Sequence, residues 1–228
     1  MASEAMKKLD QDVATSSAVL IGISGASRSG KSSLAFRLQS VLHPRVVTLV
    51  QQDEDRFWRH SALLAAAAGS KWEELGNWEV PEAVDHPAFA VAVTKAMAKP
   101  DVAVVICEGF QAFHNEVLMA QMALRLWIHV SEGTARARRM ATSPVPPAYF
   151  EECIWPCHCE YRARVLPPSS LLHCHSRAAV GNASALIFAE DSDLSCSSSA
   201  LVCLDGEAAA DDVFAEALTH VHRTLGEA

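Results

Sequence analysis

Apolar and polar positions follow two rhythms along this chain. Short unbroken apolar runs recur at "AVLIGIS" (18–24), "RVVTLVQ" (45–51), "DVAVVICEG" (101–109), "LRLWIHV" (124–130) and "ALVCL" (200–204). Each is short and shows no polar face, the pattern of a parallel strand covered on both sides. Between the runs the spacing turns helical. Leu34, Ala35, Leu38, Val41 and Leu42 form one stripe of a helix that begins at Lys31. Further helices are predicted over "SALLAAAAGSKWEEL", broken by Gly69, and from Pro81 to Lys99 with proline in the first turn. Others fall at 114–122, 132–140, 147–165 and Asp211 to Leu225. Strands alternating with helices predict an α/β fold, a five-stranded parallel sheet with helices on both faces.

The pattern also sets domain limits. Residues 1–16 read as a polar, flexible arm, and 17–228 as a single domain. One stretch breaks the alternation: residues 169–200 hold nine serines in 32 positions, and only "ALIFA" (185–189) is apolar. That composition predicts an exposed loop inserted before the last strand.

Charge and cysteine usage narrow the function classes. The formal charge is −8, against a nucleic-acid or anionic-membrane partner, both of which need a basic surface. The arginines in "TARARRM" (134–140) still suggest a local basic pocket. Seven irregularly spaced cysteines with no signal peptide predict reduced thiols and a cytoplasmic protein. The sequon at Asn182 is then expected to be idle. No run approaches the roughly 18 apolar residues of a membrane span. Cys153, Cys157, His158 and Cys159, followed by His173, Cys174 and His175, invite a zinc reading. Two residues apart on a predicted helix, Cys157 and Cys159 face different sides, and paired C-x-x-C spacing is missing. They are expected to be ordinary core or surface residues. His220 and His222, near the end of the last helix, suit a capping or solvated role.

The chemistry starts at the first strand's end. Gly25-Ala26-Ser27-Arg28-Ser29-Gly30-Lys31-Ser32 fits G-x-x-x-x-G-K-[ST], with Ser33 following. Its glycines let backbone wrap an anion, and its N–H groups and the following helix N-terminus present positive dipole ends. Lys31 would reach the β- and γ-phosphates of a nucleotide and Ser32 would ligate Mg²⁺. A strand before and a helix after complete the context of a triphosphate site. A GTPase would add Asp-x-x-Gly after the third strand and an Asn-Lys-x-Asp base reader, and neither pattern occurs. The second and third strands end instead in "QQDEDRFW" and "ICEGF", which place Asp53 and Glu108 at the ligand-binding edge of a parallel sheet. Two carboxylates beside such a loop suit phosphoryl transfer to a hydroxyl, one accepting the proton and helping to hold Mg²⁺, the other supporting the metal's water shell.

"GISGASRSGKSSLAFRLQ", "QQDEDRFW", "NWEVPEAVD", "CEGFQAF", "RRMA", "YFEECIWPCHCEYR" and "LDGEAAADDVF" together resemble the nicotinamide riboside kinases and, more distantly, uridine kinases. The resemblance covers most of 18–166 and 200–225. It implies a P-loop kinase fold with a small mobile lid that phosphorylates the 5′-hydroxyl of nicotinamide riboside with Mg-ATP. It implies Asp53 as catalytic aspartate and Mg²⁺ ligand, Glu108 as the strand-end glutamate, and Trp78 as the aromatic residue facing the nicotinamide ring. Glu79 would bind ribose hydroxyls, Arg138 would neutralise phosphate in the lid, and Arg139 would contact substrate. Several features depart from the family. Glu79 is longer than the expected aspartate, and the lid stretch "MATSPVPPA" lacks an arginine and a tyrosine. Extra acids in "QQDEDRFW" leave the base open between Asp53 and Asp55. A uridine or cytidine kinase, or a nucleotide-binding regulatory protein with weak turnover, are the alternatives.

Overall fold

The computed structural model describes residues 18–42, 47–167, 187–188 and 200–227. The N-terminal arm, Asn182, the His173–His175 stretch and nearly all of the serine-rich insertion lie outside these residues.

Five parallel strands form the sheet: β1 (Val19–Gly25), β2 (Val47–Gln51), β3 (Val104–Glu108), β4 (Leu124–His129) and β6 (Ala200–Asp205). A two-residue strand, β5 (Ile187–Phe188), completes the order β2-β3-β1-β4-β6-β5. Among the described residues the helices are α1 (Lys31–Val41), α2 (His60–Ala67), α3 (His86–Met97), α4 (Glu116–Ala120), α5 (Glu132–Thr142), α6 (Trp155–Val165) and α7 (Ala210–Thr224). A short turn of helix at Pro147–Tyr149 and a π-helical turn at Phe150–Ile154 lead into α6.

Alternate strand residues feed two cores, which is why the runs are apolar on both faces. On one face Leu20, Val105, Cys107 and Trp127 pack with Phe89 and Val93 of α3 and Tyr161 of α6. On the other, Ile21, Ile23, Ile106 and Leu126 meet Leu34 and Leu38 of α1 and Val221 of α7. A third cluster joins Ala26 and Val130 to Tyr149, Phe150 and Ile154 of the turns before α6. The predicted five-stranded parallel sheet is therefore present, with helices on both faces.

Two elements differ from the sequence expectation. The predicted helix from Pro81 splits into a 3₁₀ turn at Pro81–Ala83 and α3, which starts at His86. Pro87 has no N–H to donate to Ala83, whose carbonyl is instead taken by the Arg59 N–H at 2.8 Å. Asp85 then caps α3, its carboxylate accepting from the Ala88 N–H at 2.9 Å. The second difference is in the insertion, read as loop throughout. Ile187 and Phe188 pair antiparallel with Val202 and Leu201, extending the sheet beyond β6.

Cysteine and histidine positions follow from packing. Cys153 is buried in the third cluster, and the buried His158 ring stacks on Trp127 at 5.7 Å and 19°. Among the described residues no group of three or more His, Cys, Asp or Glu side chains could enclose a metal ion. His220 is buried, which lowers its basicity. No helix among the described residues is long and apolar enough to cross a membrane.

Tyr161 ties α6 to the loop after β3, its buried hydroxyl oxygen accepting from the Phe113 N–H at 2.8 Å. Tyr161→Phe leaves that buried donor unpaired. We expect a loss of roughly 1–3 kcal/mol in urea unfolding, with the sheet intact by circular dichroism.

Candidate active site

The carboxyl ends of β1, β2 and β3 open onto a cleft of about 460 Å³, with α5 closing one side. Strand register sets its floor: Glu108 pairs with both Ile23 and Gln51, so β2 and β3 end level while β1 runs on to Gly25.

The loop after β1 forms the phosphate end. Gly25 adopts φ 147°, and a Cβ there would meet the Ile128 carbonyl oxygen at 2.4 Å. Gly30, the N-cap of α1, is left-handed at φ 104°, yet a Cβ there would meet nothing within 4 Å. Arg28 also takes a positive φ, 62°, a conformation that costs a residue with a side chain energy. The Ser29 N–H donates to the Ala26 carbonyl at 3.1 Å and closes the turn. Lys31 folds back over it, Nζ donating to the same Ala26 oxygen at 2.8 Å. Ser27, Arg28, Gly30, Lys31, Ser32 and Ser33 line the cleft. Gly25, Ala26 and Ser29 do not; they are buried and shape the loop from behind.

Acids gather beneath and across from the lysine. Burial pushes the Lys31 ammonium below the usual lysine range, against the pull of Glu108, Asp53 and Glu79. Glu108 is 1% exposed, and its Oε1 accepts from Ser32 Oγ and from Gln51 Nε2, each at 2.9 Å. Its Oε2 is buried without a hydrogen-bond partner. Asp53 lines the cleft, whereas the exposed Asp55 opens the 3₁₀ turn at Asp55–Phe57 and does not.

Trp78 and Glu79 form the opposite wall. The Trp78 indole N–H donates to the Leu75 carbonyl at 2.9 Å, and the Trp78 amide N–H reaches Tyr149 Oη at 3.4 Å. Tyr149 in turn donates to the Gly76 carbonyl at 2.9 Å. The segment is held against the turns before α6 by these bonds and by Lys71–Glu152 at 2.6 Å. Burial raises the Glu79 carboxyl to about 7, opposed by Arg139 and Lys31 and assisted by Asp53.

Arg138 and Arg139 of α5 both reach the cleft. Arg138 Nη2 donates to the Gly206 carbonyl at 2.8 Å, and Arg139 Nη1 reaches Ser27 Oγ at 3.4 Å. The structure thus gathers Lys31, Ser32, Asp53, Trp78, Glu79, Arg138 and Arg139 around one space, with Glu108 under Ser32. It adds Trp58, Phe110 and Thr142, which sequence reasoning did not single out. Trp58 and Phe110 end the two motifs already marked for their acids, "QQDEDRFW" and "CEGF", and that placement was the available signal.

The donor set fits a magnesium ion. Ser32 offers a hydroxyl, Asp53 and Glu108 carboxylates, and the unpartnered Glu108 Oε2 is an acceptor waiting for a positive neighbour. Few protein oxygens are needed, because this ion takes most of its ligands from water and substrate phosphates.

No family model matches the chain. In sequence it is similar to the nicotinamide riboside kinase of Eremothecium gossypii, 26% identical over 196 residues that cover 66% of this chain and 78% of that protein. It is also similar to nicotinamide riboside kinase 1 of Homo sapiens, 27% identical over 157 residues, 63% of this chain and 76% of the relative. A crystal structure from Silicibacter sp. TM1040, described as that of a fructose transport system kinase, shares the fold with a TM-score of 0.51. The match has 17% identity and covers 66% of this chain and 87% of that one. The chain therefore has the fold of the P-loop kinases and resembles the nicotinamide riboside kinases in sequence.

Proposed function

We propose that this protein transfers the γ-phosphoryl group of ATP to the 5′-hydroxyl of nicotinamide riboside, yielding the mononucleotide, with nicotinic acid riboside as a second acceptor. Its relatives' names make it a phosphotransferase with an alcohol acceptor. One observation carries the finer reading. A single cleft holds the phosphate loop, a strand-end carboxylate and an aromatic wall with an acid beside it. A cationic pyridinium suits the electron-rich face of Trp78, and ribose hydroxyls suit Glu79. The place of the reaction is then the salvage of NAD precursors in the cytoplasm, as the cysteine pattern led us to expect.

In this mechanism the loop amides and Lys31 hold the β- and γ-phosphates. Asp53 takes the proton of the 5′-hydroxyl as its oxygen bonds to the γ-phosphorus. The bond from that phosphorus to the β–γ bridging oxygen breaks, and ADP leaves with the electron pair. Arg138 and Arg139 offset charge on the transferring group, since planar guanidinium groups pair two oxygens at once. Ser32 and Asp53, with Glu108 behind Ser32, would hold Mg²⁺, which would supply charge neutralisation.

Turnover with a panel of nicotinamide riboside, nicotinic acid riboside, uridine and cytidine tests this. ADP release with the first two supports the reading, and release only with the pyrimidine nucleosides replaces it. Lys31→Ala is expected to cost on the order of 10²–10³ in kcat. Asp53→Asn should cost about 10²–10⁴ while ATP still binds by calorimetry; full turnover would move the base to Asp55 or Glu108.

Glu79 generates a pH dependence. Its carboxyl ionises as pH rises through about 7, and only the ionised form accepts from both ribose hydroxyls. We expect kcat/KM for the riboside to rise about ten-fold from pH 6 to pH 8. In Glu79→Gln the profile over that interval should be flat.

A further inference from the structure

Trp58 joins the two halves of the cleft. Its indole N–H donates to the Asp53 backbone carbonyl at 3.3 Å. Its ring stands 5.0 Å from Trp78 at 72°, and it stacks on Phe110 at 5.9 Å and 19°. All three rings line the same space as Asp53. The backbone around Trp58 is fixed from both sides. Its own N–H bonds to the Asp55 carbonyl at 3.1 Å, Arg59 N–H to Ala83 at 2.8 Å, and Asp85 N–H to Phe57 at 2.7 Å. An isolated bridge pairs Trp58 with Val84, so the strip that carries the indole is bound to the turn that follows Glu79.

A partly exposed indole in a polar cleft, with its N–H spent on a turn and its ring against two others, does not serve a core. We infer that Trp58 is a specificity and positioning residue. Its ring forms a second wall, at a steep angle to Trp78, for a flat cationic base. Its N–H fixes the turn that presents the Asp53 carboxylate to the sugar hydroxyl. The inference rests on the nucleoside-kinase reading above and adds to it that base recognition and placement of the proton acceptor share one side chain.

Two substitutions separate the two tasks. Trp58→Phe keeps an aromatic wall and loses the N–H. We expect kcat for nicotinamide riboside to fall several-fold, with KM within about two-fold of the parent protein. Trp58→Leu loses both, and KM for the cationic riboside should also rise about ten-fold. The neutral dihydronicotinamide riboside should show a much smaller rise in KM. The KM for ATP serves as the check on folding and should not move in either variant.

Unchanged kcat in Trp58→Phe overturns the positioning role. Equal KM changes for the cationic and neutral ribosides in Trp58→Leu overturn the specificity role. Should Trp58→Leu fail to fold, Trp58→Phe alone decides the first, and the non-aromatic Trp58→Met with the two ribosides decides the second. The unsubstituted protein run in parallel tests the parent reading: if it turns over neither riboside, that reading fails, whatever the variants do.

Discussion

A buried ammonium needs negative charge nearby, and the architecture around Lys31 answers that need. Removing the ammonium from water opposes its charge, and Glu108, Asp53 and Glu79 offset part of that cost. They come from three separate segments. Glu108 ends β3, Asp53 follows β2, and Glu79 sits on the turn before α3. The lysine is thus where the sheet edge, the loop and the opposite wall meet. The bond from its tip to Ala26 also holds the loop in shape. Although the whole chain carries −8, Arg28, Lys31, Arg138 and Arg139 make the phosphate end locally cationic. A concave basic patch on an acidic chain raises the local concentration of small polyanions.

The wall of Trp78 and Glu79 is held by a different kind of bond. Tyr149 is buried, its phenol is pushed up to about 12, and it lies between the Gly76 carbonyl and the Trp78 amide. The aromatic wall and the turns before α6 are therefore tied through one neutral hydroxyl, which keeps its proton across the working pH range. Glu79, four residues from the Leu75 carbonyl that receives the Trp78 indole, feels the same enclosure as a raised carboxyl.

How far the sequence spoke depended on what decided each element. The five strands were legible because burial on both faces leaves an unbroken apolar run, as in "DVAVVICEG". The phosphate loop was legible because its glycines, lysine and serine are needed at fixed spacing in one local turn. The helix from Pro81 starts later than its pattern suggests because the Ala83 carbonyl is claimed by Arg59, a partner remote in sequence, and Pro87 has no N–H to offer it. Ile187 and Phe188 pair with a strand edge that only the folded sheet supplies. Trp58 and Phe110 stood in motifs already marked, but their meeting depends on β2 and β3 lying side by side, which no local pattern encodes.

The two glycines of the loop are retained for unequal reasons. Gly25 faces the Ile128 carbonyl of the neighbouring strand, so sheet packing forbids a side chain there in addition to its φ of 147°. Gly30 has open space around it and is held to glycine by its dihedral angle. A descendant that gave up nucleotide chemistry would remain bound to keep the former while the latter drifted. Survival of the first glycine in a diverged copy would then report an intact scaffold, and survival of the second a working one.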